Sequence, residues 1–476
     1  MSESEQPILR DERAETVPVT DVEWDVATDI LIAGGGGTGL VAALAASESS
    51  HRVTVLEKSA AVGGNTSLST GMIPAAGTRH QREAGIEEEP GDMAADILEK
   101  NDHQADESMV ARLCAESANL VHWLVDDWDI SLSLVDDFKY PKHSEYRMHA
   151  PPGRNGATLI AELEERVEAT DNIELLTNAP VTKLVADDGV VGVVAGDRRD
   201  EAIEADSVIL ATDGFGGNKR MVTEWCDELD EALYFGADGN TGDGIRWGAE
   251  LGGELACMDA YQGHATVAYQ TGALSTYAVV MNGGVVVNAA GERFGDESAG
   301  YSAFAVDVLR QPGSVAYEIF DRRIFERLAG EFDDFDEAVS LGAYHEADSV
   351  DALAEQLGCD RATTAATIER YNAAVAADER DETGRTDGVH TLSSPFYGAE
   401  VTGALFHTQG GLVVDEHGRV LREDDSAVPG LYAGGGCAVG ISGHGPGGYL
   451  SGNGLTTALG LGRLAGRHAR RSLTSD

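Results

Sequence analysis

The chain has 476 residues, and its 82 acidic and 34 basic residues give a formal net charge of -48. So few basic residues leave no stripe that would neutralise phosphates, which excludes nucleic acid as a partner. Self-repulsion of this size is screened in molar salt, where the Debye length is about 3 Å, so the charge predicts a cytoplasmic protein of a salt-accumulating halophile.

The cysteines and the N-terminal segment carry no signal for a metal, a membrane or secretion. The five cysteines are odd in number and include no C-x-x-C pair, which predicts a reducing compartment and neither a metal nor a covalent haem site. Residues 1–26 are acidic and lack the apolar core of a signal peptide, so we expect a flexible tail there. No run reaches the roughly 18 apolar residues of a membrane span, and we expect a soluble protein.

The first predicted element is a strand that leads into a glycine cluster and a helix. The apolar run 29–33 suits a buried parallel strand, and the stretch 40–46 is typical of the helix that follows. Between them, Gly34, Gly36 and Gly39 satisfy G-x-G-x-x-G. The first glycine allows a tight turn, the second lets the backbone approach a pyrophosphate, and the third allows close packing of helix on strand. Free N–H groups at the start of the helix then face the phosphates.

A carboxylate follows the next strand at the spacing that a dinucleotide fold needs. Residues 52–56 form the predicted strand, and Glu57 lies about 20 residues beyond the glycines, where it suits ribose hydroxyls. The strands, the glycines, the helix and the acid together predict a Rossmann-like α/β domain that binds a dinucleotide.

A second glycine pair comes soon after this acid. Gly63 and Gly64 precede Asn65, Thr66 and Ser67, and a loop of small residues follows. The pattern G-G-N-T resembles the flavoproteins related to soluble fumarate reductases and 3-ketosteroid dehydrogenases, the FAD-dependent oxidoreductase 2 family. The resemblance implies FAD as the cofactor, with this loop running along its pyrophosphate toward the isoalloxazine ring.

The resemblance covers about residues 28 to 470 and also implies a fold. It predicts an α/β architecture in which a Rossmann-like (GR2-type) FAD-binding domain carries an inserted α+β capping domain. The FAD-binding domain is expected over residues 27–258 and 408–476, and the capping domain over residues 259–407.

Further motifs imply FAD contacts along the whole chain. The stretch Thr212-Asp213-Gly214 is similar to the family's A-T-G-G turn beside adenine, with Asp213 in place of the first glycine. Asp243 lies in a loop like the one near the flavin, or it is an ordinary turn residue. The positions implied to bind FAD are Gly34, Gly36, Gly37, Thr38, Gly39, Glu57, Lys58, Gly63, Gly64, Asn65, Thr66, Ser67, Thr70, Gly71, Thr212, Asp213, Gly214, Asp243, Gly435, Gly454 and Leu455. Relatives with covalent flavin have a histidine in the loop after the ribose acid, and none lies there, so non-covalent FAD is expected.

Two histidines lie in motifs that the family uses at its active site. His264 in Q-G-H-A-T resembles the Q-x-H-P-T of fumarate reductases, where the histidine reaches the substrate. His407 in H-T-Q-G-G resembles H-T-x-G-G, whose histidine binds a substrate carboxylate in those enzymes. A structural histidine is the alternative interpretation at both positions.

Two tyrosines stand where fumarate reductases have arginines. Tyr301 follows a stretch like G-x-R-F-x-x-E, after which fumarate reductases place a proton-donating arginine and ketosteroid dehydrogenases a tyrosine. Tyr449 falls about where fumarate reductases have an arginine that clamps the substrate carboxylate. With Ser451 it is similar to the Tyr-x-Ser-Gly of ketosteroid dehydrogenases that desaturate the Δ4 bond. A packing role is the alternative for Tyr301.

These replacements favour a ketone, because a dicarboxylate needs cationic and preferably bidentate partners. We predict an FAD-dependent oxidoreductase acting on CH-CH groups that interconverts saturated and α,β-unsaturated carbonyl compounds, like a 3-ketosteroid dehydrogenase. Hydride is expected to move to or from FAD N5, Tyr301 to transfer the proton, and Tyr449 and Ser451 to orient the carbonyl or to share the proton transfer. One alternative is a fumarate- or urocanate-type ene-reductase that uses His264 and His407; another is a non-catalytic flavoprotein electron carrier. The expected partners are a small carbonyl substrate and an electron donor or acceptor that the sequence does not identify.

Overall fold

The computed structural model describes residues 15–196, 199–385 and 388–473, which fold into two compact units. The first unit comprises the described parts of Met1–Cys226 and His407–Asp476 together with Gly236–Tyr261. The second comprises Asp227–Phe235 and the described part of Gln262–Phe406. The chain therefore passes between the units at four points, and each unit is assembled from segments distant in sequence.

The strands, in chain order, are β1 (Glu15–Pro18), β2 (Val26–Ala33), β3 (Val53–Leu56), β4 (Ile73–Pro74), β5 (Ser133–Leu134), β6 (Met148–Ala150), β7 (Ile173–Leu176), β8 (Val181–Ala186), β9 (Val190–Ala195), β10 (Glu201–Leu210), β11 (Leu233–Tyr234), β12 (Leu255–Ala256), β13 (Tyr261–Ala268), β14 (Val285–Val287), β15 (Val315–Asp321), β16 (His345–Ala347), β17 (Phe396–Thr408), β18 (Gly411–Leu412), β19 (Arg419–Leu421) and β20 (Ala427–Ala433).

The α-helices are α1 (Gly37–Ser47), α2 (Gly64–Ser67), α3 (Arg79–Glu83), α4 (Pro90–Lys100), α5 (Glu107–Asp126), α6 (Gly156–Glu168), α7 (Lys219–Trp225), α8 (Asp243–Glu250), α9 (Ala278–Met281), α10 (Tyr301–Leu309), α11 (Arg322–Leu328), α12 (Asp333–Ser340), α13 (Val350–Leu357), α14 (Arg361–Ala376) and α15 (Asn453–Leu473). Across the described ranges, no helix combines the length and the apolar character that crossing a membrane requires.

The main sheet of the first unit has the strand order β1-β8-β9-β10-β2-β3-β7, and β20 also pairs with β10. One part of this sheet is entirely parallel, with the strand order β20-β10-β2-β3-β7. β2 is buried from Ile30 to Ala33, as expected for a parallel strand covered on both faces. Every residue of α1 is buried, because the helix packs against both the sheet and α15. The predicted Rossmann-like α/β fold is confirmed.

Part of the predicted flexible tail is a strand. β1 pairs in parallel with β8, with Thr16 opposite Leu184, and the backbone N–H of Thr16 donates to Glu250 Oε2 at 2.9 Å. The prediction of a flexible tail over residues 1–26 is therefore wrong for Glu15–Pro18, because main-chain pairing satisfies that backbone whatever the composition. Residues 1–14 lie outside the described residues.

The second unit is built on a mostly antiparallel sheet. β15 is antiparallel to β14 and β17, β16 is antiparallel to β17, and β13 also pairs with β17. The helices α9 to α14 belong to this unit, and its larger apolar core surrounds Phe320, Phe335 and Ile368. An antiparallel sheet with separate helices is the α+β architecture predicted for the insert.

The second unit includes a segment that the predicted insert of residues 259–407 leaves out. Leu233 and Tyr234 form β11, which pairs in parallel with β17, and the N–H of Phe235 donates to the carbonyl oxygen of Leu405 at 2.8 Å. A two-residue strand has no periodicity of its own. Its pairing partner lies far along the chain, so no local pattern indicates that Asp227–Phe235 belongs here.

Candidate functional site

The turn between β2 and α1 has the geometry that its glycines predict. Gly34 has φ of 112°, and a Cβ there would lie 2.2 Å from the carbonyl oxygen of Ala211. A Cβ on Gly39 would lie 1.9 Å from the carbonyl oxygen of Gly34, so only glycine lets α1 approach the turn this closely. Gly36 is the N-cap residue of α1, whose first-turn N–H groups take acceptors from outside the helix.

Two charged residues follow β3 beside this turn. Glu57 Oε2 accepts a hydrogen bond from Gly35 N at 2.8 Å, which fixes the carboxylate against the glycines. Lys58 Nζ lies 3.2 Å from Asp243 Oδ2, and Arg246 Nη2 lies 2.7 Å from Asp243 Oδ1. Although burial raises the pKa of Asp243, Lys58 and Arg246 hold it below its usual range. Asp243 is therefore an ion-paired carboxylate at the start of α8.

The backbone next to the turn forms an open cradle. Among the described residues, a Cβ on Gly36 would meet only the carbonyl oxygen of Gly63 at 3.7 Å, and one on Gly64 would meet only Gly36 Cα at 4.0 Å. Asn65 Oδ1 accepts from Ala237 N at 2.8 Å, but Asn65 Nδ2 is buried without a hydrogen-bond partner among the described residues. Bare backbone and an orphaned donor beside a helix N-terminus fit the phosphates and polar atoms of FAD.

The backbone conformation of Asp213 explains why an aspartate can replace the first glycine of the family's turn. Its φ is 62°, in the left-handed region, which aspartate tolerates because its short side chain bonds the nearby backbone. Oδ1 accepts from Gly214 N at 2.8 Å, and Oδ2 accepts from Asn240 Nδ2 at 3.0 Å. Burial raises the pKa of this carboxyl, against the opposing effect of His407.

The C-terminal strand–turn–helix unit packs on the first one. Gly435 has φ of 64°, and a Cβ there would lie 2.5 Å from Thr38 Oγ1. Gly454 and Leu455 lie in the first turn of α15, which begins at Asn453. The fold therefore brings both glycine turns of the chain together within the first unit.

The remaining residues predicted to bind FAD lie on the elements around this cradle. A Cβ on Gly37 would lie 2.7 Å from Thr66 Oγ1, so α1 and α2 are in close contact. Thr212 Oγ1 accepts from Gly244 N at 3.2 Å, which joins the end of β10 to α8. Ser67 ends α2, and Thr70 and Gly71 follow it.

His407 is partly buried at the end of β17, beside Tyr449. The two ring centroids are 5.8 Å apart in an edge-to-face arrangement. A Cβ on Gly454 would lie 2.9 Å from His407 Nε2, so the imidazole rests on the start of α15. Burial lowers the pKa of His407, and the charge of Asp213 opposes this. His407 Nδ1 lies 3.1 Å from Gln409 Nε2.

Gln409 is fixed by two further polar side chains. Its Oε1 accepts from Ser442 Oγ at 2.8 Å, and Ser442 Oγ accepts from Asn453 Nδ2 at 3.1 Å. All three side chains are buried. The hydroxyl identifies the oxygen of the Gln409 amide, so the nitrogen of that amide faces His407.

Ser451 is buried next to a charged network. Its carbonyl oxygen lies 3.1 Å from His143 Nε2, and His143 Nδ1 lies 3.2 Å from Arg147 Nη1. Arg147 is fully buried and pairs with Glu88 at 2.5 Å and with Asp96 at 2.6 Å. Burial and the charge of Arg147 lower the pKa of His143 to about 3. The neutral ring thus accepts from Arg147 and donates to the backbone of Ser451.

In the second unit, His264 is buried in β13 among aromatic rings. Its ring stacks on Tyr301 and on Phe406, each at a centroid distance of 5.1 Å. Its Nδ1 accepts a hydrogen bond from Thr266 N at 3.3 Å, which leaves the ring proton on Nε2. Burial lowers the pKa of His264 to about 3, so the imidazole is neutral.

Tyr301 is the first residue of α10 and follows Gly300, whose φ is 112°. Tyr277 packs edge-to-face on both Tyr301 and His264, with centroid distances of 5.8 Å. The Tyr277 hydroxyl donates to the carbonyl oxygen of Glu297 at 2.6 Å. The hydroxyl of Tyr277 therefore supports the segment that leads into α10, while its ring holds the ring of Tyr301.

The charged residues of the motif before Tyr301 are structural. Arg293 and Glu297 form a buried bidentate pair, with Nε–Oε1 at 2.8 Å and Nη2–Oε2 at 2.5 Å. Asp381 lies 2.5 Å from Arg293 Nη1. Despite burial, these two carboxylates raise the pKa of Arg293. The pair anchors the loop that places Tyr301.

Among the residues that contact the predicted catalytic set, Phe406, Gln409, His143 and Tyr277 were not predicted from the sequence. Gln409 lies within the H-T-Q-G-G motif and Phe406 directly precedes it, but the motif assigns neither of them a role. The other two have no local signal, since only the tertiary fold brings them to Ser451 and to His264.

Comparisons with known proteins agree with this geometry. A family model described as FAD binding domain matches residues 29–455. A fumarate reductase (cytochrome) of Shewanella frigidimarina is 30% identical over 450 residues, which cover 93% of this chain and 77% of that protein. A urocanate reductase of Eggerthella lenta is 28% identical over 475 residues, which cover 96% of this chain and 77% of that protein.

Among solved structures, the open conformation of a flavocytochrome c3 fumarate reductase matches with a TM-score of 0.80 and 29% identity, covering 95% of this chain and 79% of that chain. A 3-ketosteroid-delta4-(5alpha)-dehydrogenase from Rhodococcus jostii RHA1, in complex with 4-androstene-3,17-dione, matches with a TM-score of 0.78 and 25% identity. That alignment covers 96% of this chain and 99% of the dehydrogenase chain.

The fold and the backbone cradle define an FAD-dependent oxidoreductase. The chain belongs to the FAD binding domain family, whose model spans residues 29–455. The predicted family, cofactor and enzyme class are confirmed, and non-covalent attachment of the flavin stays a prediction.

Proposed function

We propose that the protein interconverts saturated and α,β-unsaturated carbonyl compounds, with a ketone of the 3-ketosteroid type as substrate. One observation carries this proposal, namely that His264 is buried and His407 partly buried, which disfavours the charged form of both predicted active-site histidines. Burial lowers the pKa of His264 to about 3 and lowers the pKa of His407 as well. A neutral imidazole donates one hydrogen bond, but it supplies no positive charge to a carboxylate.

The two tyrosines extend this argument. By resemblance, Tyr301 and Tyr449 stand where fumarate reductases have arginines. The nearby Arg293 is already committed to a buried pair with Glu297. Phenol and hydroxyl groups suit a ketone, because they donate to an oxygen on which negative charge develops as the enolate forms.

When bound, FAD supplies the hydride exchange with the β-carbon of the substrate. Tyr301 exchanges the proton at the α-carbon through its phenolic oxygen. Tyr449 Oη and Ser451 Oγ donate hydrogen bonds to the carbonyl oxygen. The edge-to-face contact with His407 and the stack on His264 support this assignment, because they restrict the rings of Tyr449 and Tyr301 respectively.

Reduction of an unsaturated carboxylate is the second candidate. The similar proteins include a fumarate reductase and a urocanate reductase, which favours this chemistry. The charge of Asp213 also raises the pKa of His407 against the effect of burial. A proton gained by His407 would give it the charge that a substrate carboxylate requires.

A flavin spectrum distinguishes the two candidates. The protein is purified in molar salt, and its visible absorbance is recorded anaerobically. A saturated 3-ketosteroid is added to the oxidised form, while fumarate and urocanate are added to separate dithionite-reduced samples. Bleaching by the ketosteroid supports the proposal. Reoxidation by fumarate or urocanate, with no response to the steroid, overturns it in favour of the carboxylate.

A further inference from the structure

Cys257, His444 and Asp259 form a series of contacts on the first unit, and none of them belongs to the predicted FAD or substrate sets. His444 Nδ1 lies 2.7 Å from Asp259 Oδ1, and His444 Nε2 lies 3.9 Å from Cys257 Sγ. The side chains of His444 and Asp259 are 56% and 48% exposed, so a dissolved reagent reaches them. Within the described ranges, no group of His, Cys, Asp and Glu is arranged to hold a metal ion, so this series is not a metal site.

The hydrogen bond to Asp259 sets the tautomer of His444. A carboxylate only accepts hydrogen bonds, so Nδ1 of His444 carries the ring proton. Nε2 then presents its lone pair to the Cys257 thiol. The contacts therefore run from a nucleophile (Cys257) to a base (His444) and then to a group that orients the base (Asp259). Sites that activate a thiol or hydroxyl have the same order of contacts.

The backbone holds the two reacting side chains in place. Cys257 has φ of 50°, a left-handed conformation that a non-glycine residue keeps only where its surroundings enforce it. The carbonyl oxygen of Cys257 accepts from Ala260 N at 2.8 Å, and a Cβ on Gly410 would lie 2.1 Å from that oxygen. On the other side, His444 N donates to Gln104 Oε1 at 3.2 Å.

Cys257 differs from the other cysteines of the chain. It is partly exposed, whereas the remaining four are buried, at positions 114, 226, 359 and 437. Burial and the charge of Asp259 raise the pKa of the Cys257 thiol. At neutral pH this sulfur therefore carries its proton, and it reacts only where a base removes that proton.

We propose that Cys257 is a nucleophilic thiol site that undergoes exchange with small disulfides, with His444 as its base and Asp259 as the residue that positions the base. The thiol proton passes to His444 Nε2 as the sulfur attacks one sulfur of the disulfide. The S–S bond of the disulfide breaks, and a new S–S bond joins Cys257 to half of it. The departing thiolate takes the proton and leaves as a free thiol, so that Cys257 is oxidised and the departing sulfur is reduced.

The test uses the full-length holoprotein in molar salt at pH 7 with cystamine, a small cationic disulfide. The reaction is stopped with acid, the adducts are counted by mass spectrometry, and the modified cysteine is located by peptide mapping. We expect one adduct, on Cys257, while the native protein keeps its other cysteines unmodified. His444→Gln should slow the reaction about 10²- to 10⁴-fold, as expected for loss of a general base. Asp259→Asn should slow it less.

A matched exposed substitution, His345→Gln, should leave the rate unchanged. If the His444 variant fails to fold, the proposal can still be tested with the unsubstituted protein. Cys257 should react faster in the native protein than in the urea-unfolded chain, where no base faces it. A first adduct on another cysteine overturns the proposal. A His444→Gln protein that folds and reacts at the original rate, or a native Cys257 slower than the unfolded one, also overturns it.

Discussion

The side-chain amide of Gln409 donates a hydrogen bond to Nδ1 of His407 over 3.1 Å. The carbonyl oxygen of Thr408 is also near that nitrogen, but it lies farther away, at 3.3 Å. Because Ser442 fixes the oxygen of the Gln409 amide, Nδ1 of His407 is an acceptor and its ring proton sits on Nε2. His407 is thereby prepared to donate one hydrogen bond as a neutral ring, which suits a carbonyl oxygen.

Removing the Gln409 donor should therefore change the tautomer of His407. In Gln409→Leu, we expect the ring proton of His407 to move to Nδ1, where the carbonyl oxygen of Thr408 accepts it. Nε2 then no longer donates a hydrogen bond to the substrate, and loss of that one bond should lower kcat about tenfold. Nitrogen-15 NMR of labelled histidine reports the tautomer. Gln270→Leu on an exposed side chain is the control. An unchanged tautomer together with an unchanged kcat would contradict the assignment.

Replacing Tyr301 by Phe keeps the ring stack on His264 and removes only the hydroxyl. If Tyr301 transfers the α-proton, turnover should fall about 10²- to 10⁴-fold while flavin content and absorbance stay normal. The matched control is Tyr269→Phe, on a side chain that is 51% exposed in the same unit. Equal turnover in the two variants would remove Tyr301 from the proton transfer.

Glu318 makes the second unit sensitive to pH. This residue of β15 is fully buried, its Oε2 accepts from Ser275 Oγ at 2.6 Å, and its Oε1 has no partner among the described residues. Burial raises the pKa of Glu318 to about 8 from its ordinary value of 4.5. Between these values the folded state holds a proton that the unfolded chain has released, so the free energy of unfolding falls as pH rises. The slope is at most about 1.4 kcal/mol per pH unit, and it flattens above the folded pKa.

Glu318→Gln should remove this slope, because the amide has nothing to ionise. We expect urea midpoints of the variant to change little from pH 7 to pH 8, where the histidines that are neutral in the folded protein are largely neutral in the unfolded chain as well, whereas those of the original protein decline. Glu331→Gln, at an exposed position of the same unit, should decline like the original. A parallel decline in the Glu318 variant would show that the carboxyl is not protonated in the folded state.

Variants at Asp213 can separate the free-energy cost of a strained backbone from the loss of side-chain hydrogen bonds. Asp213→Ala should cost about 1–2 kcal/mol for the left-handed backbone, plus the loss of the bonds to Gly214 and Asn240. Asp213→Gly should recover the backbone part. Asp425 has the same φ of 62° at an exposed position, so Asp425→Ala measures strain alone. Thermal unfolding with bound FAD reports each cost, and equal losses in the two alanine variants would show that the side-chain bonds of Asp213 contribute nothing.

The geometry of the first glycine turn was predictable because it depends on residues that are close together in the sequence. Within one strand–turn–helix unit, Gly34 adopts a φ of 112°, Gly36 leaves the backbone open, and Gly39 avoids a clash with Gly34; Glu57 follows the next strand at a fixed spacing. The family and the cofactor followed from these residues and from the G-G-N-T loop. No other part of the chain needs to be known for that prediction.

The surroundings of the predicted catalytic residues were not predictable in the same way. Tyr277 reaches His264 only through the fold of the second unit, and His143 reaches Ser451 from more than 300 positions away in the chain. The motif residues Arg293 and Glu297 form a buried ion pair. Their opposite charges can be read from the sequence, but their burial cannot. Motif spacing indicated candidate catalytic residues, but not which neighbours fix the tautomers of their side chains.

The short segment Asp227–Phe235 limits how the second unit can be expressed separately from the rest of the chain. A polypeptide cut out as residues 262–406 would lack β11, and the edge of β17 that pairs with Leu233 and Tyr234 would be left open. An exposed strand edge invites pairing with other chains. Any attempt to transplant the second unit into a related flavoprotein must therefore carry two pieces of gene, and exchanging only the long piece should yield a hybrid that aggregates.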